Sequence, residues 1–239
     1  MARQPAQILI TRPEPQASRL ARDLAMRLGK DVATLVAPLM AVEWLHPEPA
    51  AGPFTALILT SEAGARAAGA MRGRGIDLPD HAFCVGDRTA DEARLQGFSA
   101  TSAGGDARDL ARLIEATPGT GALLHLHGRD RAADLGALLP GRKVTSRVVY
   151  VQRSQPLSAD ARRLLEREGC VIVPLYSPRS ARLLSAALPA GTRARLGIVA
   201  ISAAARDALP APLRHHALLA ARPDGPAMLE AIAGAISGA

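Results

Sequence analysis

The groups of this 239-residue chain that could do chemistry are a phenol in an extended stretch and a set of hydroxyl, glycine and arginine residues at the ends of apolar runs. The phenol is Tyr150, one of two tyrosines. It sits in Val144 to Arg153 (VTSRVVYVQR), a stretch rich in β-branched residues that follows Pro140-Gly141 and so reads as extended. An ordinary tyrosine keeps its proton at neutral pH and can hand it to a departing group. It can equally pack by its ring and turn its hydroxyl to water. The second set is Thr11 with Arg12 and Pro13, Thr60 and Ser61, Gly86 and Thr89, Gly128 with Arg129, Ser177 with Pro178 and Arg179, and Ser202 with Ala203. Each follows a short apolar run and opens a helical pattern. Free backbone N–H groups and the helix dipole favour anions there. Any one of them is also an ordinary helix cap, but repetition along the chain points to one anionic ligand met by several caps.

Other chemistries lack their residues. There is no P-loop, and Gly73-Arg74-Gly75 follows a helical pattern without the third glycine of a dinucleotide fingerprint. There is no Gly-x-Ser-x-Gly elbow, and no carboxylates pair at strand ends. Asp87, Asp130 and Asp134 read as solvated helix starts. His125 and His127 fall on one face of a strand, yet no zinc-type spacing accompanies them, so a structural strand-end role is expected and no metal. His215-His216 lies in a loop and is given no role. Cys84 and Cys170 each sit in an apolar run and read as buried, inert thiols, with no disulfide framework. An enzyme built this way works by holding its substrate in shape.

The elements that must position these groups repeat one unit: an apolar run, a small or hydroxyl residue, then a helix. Strands are expected at Ile8–Ile10, Val32–Val36, Ala56–Leu59, Ala82–Val85, Phe98–Ser102, Ala122–Leu126, Cys170–Val173, Leu196–Ile201 and Ala217–Ala220. Helices follow, reaching Leu28 before Gly29, Gly73, Gln96 before Gly97, Ala116, Leu139, Glu168, Leu188 and Leu209, with a last one from Pro226. Thr89 and Glu92 have capping-box spacing, and Ser177-Pro178 is a strong helix start. Alternation of this kind makes an α/β fold with parallel sheets covered on both faces. Ligands of such sheets lie at the carboxyl ends of the strands. Two extended stretches, Pro38–Leu45 and Val144–Arg153, flank a self-sufficient block. Residues 1–37 and 152–239 are therefore expected to build a discontinuous first lobe and 45–145 an inserted second lobe, with 38–44 and 146–151 as the crossing strands.

Composition bounds the partners. Hydrophobic residues make up 48%, enough for globular cores, while aromatics make up 3%, so Ala, Leu and Val must fill them. The net charge of +7 is nearly all arginine, since Lys30 and Lys143 are the only lysines. With frequent alanine, that is the usage of a GC-rich, bacterial genome. The arginines are scattered and stacking aromatics scarce, which speaks for an anionic small molecule and against nucleic acid. No apolar run approaches the roughly 20 residues of a membrane span. Ile8-Leu9-Ile10 is too short for a signal-peptide core, so a cytoplasmic protein is expected.

The ordered set of strand-end segments resembles uroporphyrinogen-III synthase. It comprises Ile8-Leu9-Ile10-Thr11-Arg12-Pro13 with Gly29, Val36-Ala37-Pro38-Leu39, Leu59-Thr60-Ser61, and Val85-Gly86-Asp87-Arg88-Thr89-Ala90 with Leu95-Gln96-Gly97-Phe98. It continues with Gly128-Arg129, Val149-Tyr150, Tyr176-Ser177-Pro178-Arg179-Ser180-Ala181 and Ala200-Ile201-Ser202, and so covers essentially the whole chain. The resemblance implies two flavodoxin-like lobes joined by a two-stranded connection, with a cleft between them. It implies a monomer that needs no cofactor or metal and closes hydroxymethylbilane, a linear tetrapyrrole with eight carboxylates, to uroporphyrinogen III. Loss of a hydroxyl gives an azafulvene, and the last ring attacks through its substituted carbon and is inverted through a spiro intermediate. Tyr150 matches the family's leading candidate acid, and the strand-end set matches its substrate-binding positions. This chain departs from the family at Glu62-Ala63-Gly64, where an asparagine often stands, and at Ala203, where a threonine is common; the backbone N–H groups remain. The reading weighed against it is a non-catalytic two-lobed binder of an anionic small molecule.

Overall fold

The computed structural model describes residues 7–29, 32–48, 50, 52–119, 121–130 and 133–237. The chain begins with β1 (Gln7–Ile10), α1 (Gln16–Leu28), β2 (Ala33–Val36) and β3 (Met40–Trp44). It continues with β4 (Phe54–Leu59), α2 (Glu62–Gly73), β5 (His81–Cys84), α3 (Asp87–Leu95), β6 (Ser99–Ser102), α4 (Ala107–Ala116), β7 (Ala122–Gly128), α5 (Leu135–Leu138) and β8 (Val144–Ser154). It closes with α6 (Ala159–Glu166), β9 (Cys170–Leu175), α7 (Pro178–Ala187), β10 (Arg195–Ala200), α8 (Ala203–Asp207), α9 (Ala211–Arg214), β11 (Leu218–Leu219) and α10 (Gly225–Ser237). Two compact units result: Met1–Ala41 with Arg153–Ala239, and Val42–Gln152. The chain passes from one to the other along β3 and returns along β8.

In the first unit the sheet order is β11-β10-β9-β1-β2, every described pairing parallel. Counted along the unit this is 5-4-3-1-2, the flavodoxin order. Its two faces carry separate cores, one with Leu9, Val171, Val173 and Ile198 under α6 and α7, the other with Ile8, Ile10, Ile172 and Val199 under α1 and α10. In the second unit the order is β3-β8-β7-β4-β5-β6. Without β3 this counts 5-4-1-2-3, the doubly wound order of dinucleotide-binding folds, and the glycine loop of those folds is missing. Leu45 N donates to Val149 O and Gln155 N to Leu39 O, so β3 runs antiparallel to β8. Here too both faces are covered, by Ala65, Ala68, Met71 and Ala90 on one side and Leu110, Ile114 and Leu135 on the other.

Local chemistry sets most boundaries. Gly29 and Gly97 end α1 and α3 with φ of 75° and 85°, a region that costs side-chain-bearing residues. Asp106 caps α4 in a box with Asp109, and Ser177 caps α7 in a box with Ser180, with Pro178 at the first turn. One capping expectation fails. Thr89 does not cap α3, which starts two residues earlier from an extended Gly86, and Thr89 is buried inside the helix. Glu92 instead accepts Arg66 Nη2 at 2.8 Å and Gln96 Nε2 at 3.0 Å, tying α3 to α2. The helix expected to reach Leu139 is the single turn α5, capped by Asp134, and residues 131–132 lie outside the described residues. The helix after Ser202 ends at Asp207, two residues short of Leu209, and a separate turn, α9, follows Pro210.

Two cysteines meet different surroundings. Cys84 is fully buried, and burial pushes its thiol up to about 12. Cys170, expected to be buried, stands partly exposed at the start of β9. Brief alkylation of the native protein at neutral pH should therefore label Cys170 and leave Cys84 unmodified by peptide mass mapping. Residues 42–152 made alone should melt in one cooperative transition by circular dichroism, because both faces of their sheet are covered from within that segment.

Candidate functional site

Each sheet has one place where neighbouring strands are connected in opposite directions, and ligands of open α/β sheets collect there. In the first unit it lies between β1 and β9. Pairing between them covers Gln7–Val171 and Ile8–Ile172 and then stops. The cause is Pro174. Gly169 O and Leu175 O both accept from the β10 side, so odd residues of β9 face β10 and even residues face β1. Pro174 is even, and its missing N–H falls where a bond to β1 would form.

Around that opening stand Thr11, Arg12, Tyr176 and Ser177. Thr11 is buried, and its Oγ1 has no partner among the described residues. It does not begin a helix, because Pro13-Glu14-Pro15 intervenes and α1 starts at Gln16. The guanidinium of Arg12 lies 3.7 Å from the Tyr176 ring centroid, a cation–π contact joining the two strand ends. Ser177 spends its hydroxyl on the Ser180 N–H of α7. Pro178 and Arg179 form the partly exposed first turn of α7. On the next strand end Ser202 accepts from Ala205 N at 3.3 Å, with Ala203 exposed beside it.

In the second unit the equivalent place lies between β4 and β7. Thr60 Oγ1 lies 3.4 Å from His125 Nε2. His125 and His127 are buried with ring centroids 4.5 Å apart, and His127 Nδ1 bonds Gly128 O at 2.7 Å. Among the described residues no three His, Cys, Asp or Glu side chains gather as metal ligands do. Ser61 caps α2, accepting from Gly64 N at 3.0 Å. Gly64 lets α2 close on β7, since a Cβ there would sit 2.8 Å from Leu126 O. Gly86 opens α3, and the space where its Cβ would point is empty. Arg129 is exposed at the end of β7, its N–H donating to Tyr150 O at 3.0 Å.

Tyr150 is the centre of this group. The β7–β8 register runs His127–Val148 and then Gly128–Tyr150, so one extra residue, Val149, is inserted on β8. A bulge of this kind re-aims the side chain that follows it. Tyr150 thereby lies across Gly128, where a Cβ would meet the ring at 2.5 Å, and its hydroxyl reaches Ser61 Oγ at 2.9 Å. The ring belongs to the apolar cluster of the unit and is 9% exposed, with Trp44 of β3 edge-on to it at 6.4 Å. Within the second unit the structure thus brings together Thr60, Ser61, Gly128 and Tyr150, with Gly86 on the adjacent strand end; Thr89 points into the core. Sequence reasoning missed Trp44 and Tyr176. The signal available for both was an aromatic at a strand end in a chain with few aromatics.

These features can be set against known proteins. The family model for uroporphyrinogen-III synthase HemD matches residues 22–230. The chain is similar in structure to the uroporphyrinogen-III synthetase of Helicobacter pylori, with a TM-score of 0.61 at 17% identity over 94% of this chain and 97% of that one. It is also similar to a mutant uroporphyrinogen III synthase of Thermus thermophilus, with a TM-score of 0.50 at 17% identity over 98% of this chain and 100% of the other. No curated protein matches it in sequence. At such identities the structures speak for the fold, two α/β lobes with mostly parallel sheets, and the sequence family rests on the match to residues 22–230. The chain belongs to the uroporphyrinogen-III synthase family.

Proposed function

We propose that this protein closes hydroxymethylbilane to uroporphyrinogen III with inversion of the last pyrrole ring, in haem biosynthesis. The observation that carries the reading is the family match over most of the chain. What supports the choice of site is Tyr150, bent by a bulge onto a strand-end glycine where ligands of such sheets bind. No observation favours the binder reading.

The part this chain plays is positioning plus one proton. The substrate's carboxylates suit the helix starts at Gly86, Ser177 and Ser202, with Arg12, Arg129 and Arg179 adding charge and Thr11 Oγ1 a buried hydroxyl that has no partner among the described residues. Thr60, Gly128, Pro178 and Ala203 complete the proposed contact surface, whereas Thr89 acts only through the shape of α3. The Tyr150 phenol gives its proton to the departing hydroxyl, which leaves as water. The pyrrole nitrogen supplies the electron pair that expels it. The last ring sheds a proton on regaining aromaticity, and that proton restores the phenol. Inversion needs no further group from the protein, only a substrate held so that the substituted carbon attacks first. We extend the reading to a cytoplasmic bacterial monomer that acts without nucleic acid, cofactor or metal. Among the described residues no helix is long and apolar enough to cross a membrane.

Freshly made hydroxymethylbilane, incubated with the protein and oxidised, should yield the type III isomer, at a rate that chelation and dialysis leave unchanged. Product that is wholly type I, formed at the spontaneous rate, would end the synthase reading. Tyr150→Phe should lower kcat by roughly tenfold or more, at the weak end of general-acid effects because this leaving group departs readily. KM should change little and some type III product should persist. Gly86→Leu should fold normally, since the added side chain meets open space, and should weaken product binding in a titration.

A further inference from the structure

We propose that Ser61 acts on the reaction through Tyr150, as the residue that positions the phenol's proton, and not as a contact for a substrate carboxylate. The inference rests on the synthase reading of the preceding subsection. Its ground is the saturation of one hydroxyl. Ser61 Oγ accepts from Gly64 N at 3.0 Å and lies 2.9 Å from Tyr150 Oη. With the helix N–H on one lone pair and the phenol beside it, Ser61 has its short-range partners inside the protein.

Either hydroxyl can donate in the resting protein. For the phenol proton to reach the hydroxyl that must leave, Ser61 has to take the donor's part, and the N–H it accepts from Gly64 polarises its own O–H for that role. When that proton departs, the phenolate oxygen already holds the Ser61 hydrogen bond. It also lies at the positive end of α2, a helix of 12 residues. One serine thus keeps the helix start closed, turns the phenol outward and receives the charge that develops.

The seat is specific to this chain's packing. The Val149 bulge delivers the ring, Gly128 leaves room for it, and Gly64 lets α2 come close enough for Ser61 to reach it. Glu62, next along α2, is offset by Arg66, whose guanidinium lies 3.8 Å from it and 2.8 Å from Glu92. The pairing holds the guanidinium of Arg66 above its usual range, chiefly through its hydrogen bond to Glu92.

The test separates capping from proton positioning. Glycine is nearly as good an N-cap as serine, so Ser61→Gly keeps the helix start and removes only the hydroxyl. Threonine retains both. With wild type forming type III product, Ser61→Gly should lower kcat about fivefold with KM unchanged, the worth of one ordinary hydrogen bond and less than the loss expected of Tyr150→Phe. Ser61→Thr should restore kcat to within about twofold. In a Tyr150→Phe background, Ser61→Gly should cost nothing more. Gly128→Ala, which drives a Cβ into the ring, should lose at least as much kcat as Tyr150→Phe. A raised KM in Ser61→Gly, or a further loss from it in the Tyr150→Phe background, would make Ser61 a substrate contact and overturn the proposal. So would unchanged kcat in Ser61→Gly or in Gly128→Ala. If wild type forms no type III product, the synthase reading falls and takes this role with it, an outcome recognised from the wild-type arm alone.

Discussion

A phenol placed among apolar side chains must find a hydrogen-bond partner or lose stability, and this requirement organises the second unit. The Tyr150 ring packs in the cluster that also holds Leu124, Leu126 and Val149, and its hydroxyl meets Ser61. Every close approach nearby follows from that. Gly128 is bare because the ring lies on it, and Gly64 is bare because α2 must lie against Leu126. The ladder between β7 and β8 gives up its regular register at the point where the ring has to turn. Backbone irregularity, two glycines and a cap are thus one arrangement.

The first unit solves a different problem. Its strand ends carry Arg12 on Tyr176, a charge spread over an aromatic face, and a buried threonine hydroxyl with no partner among the described residues. A native protein rarely keeps such a group without use, since its desolvation is not recovered until something binds. The two units therefore differ in kind. In one the strand-end phenol is tied to a serine, while in the other an arginine stacks on a tyrosine beside a buried threonine hydroxyl.

Much of this was legible in the sequence. Apolar runs such as Ile8–Ile10 and Cys170–Val173 became buried strands, and Ser177-Pro178 became a capped helix start, because these depend on residues near each other along the chain. What escaped depends on distant partners. The Thr89–Glu92 spacing is a valid local signal, but Glu92 answers to Arg66, 26 residues away, and α3 already begins at Asp87. The bulge at Val149 leaves no mark in composition, since it exists only against β7. At Thr11 the local pattern misleads, since Pro13-Glu14-Pro15 resembles a helix entry, yet α1 begins only at Gln16. Strand order was equally out of reach, and the two sheets, built from the same repeating unit, wind differently.

Pro174 gives the first unit a property of another sort. A groove kept open by packing can close when a side chain changes, and one kept open by charge can close with salt. Here the seam between β1 and β9 ends because an imide nitrogen carries no hydrogen, and no rearrangement of neighbours can supply one. The opening is written into covalent structure. It should outlast drift in the surrounding alanine-rich core, so that the residues lining it are free to vary while the gap they line persists.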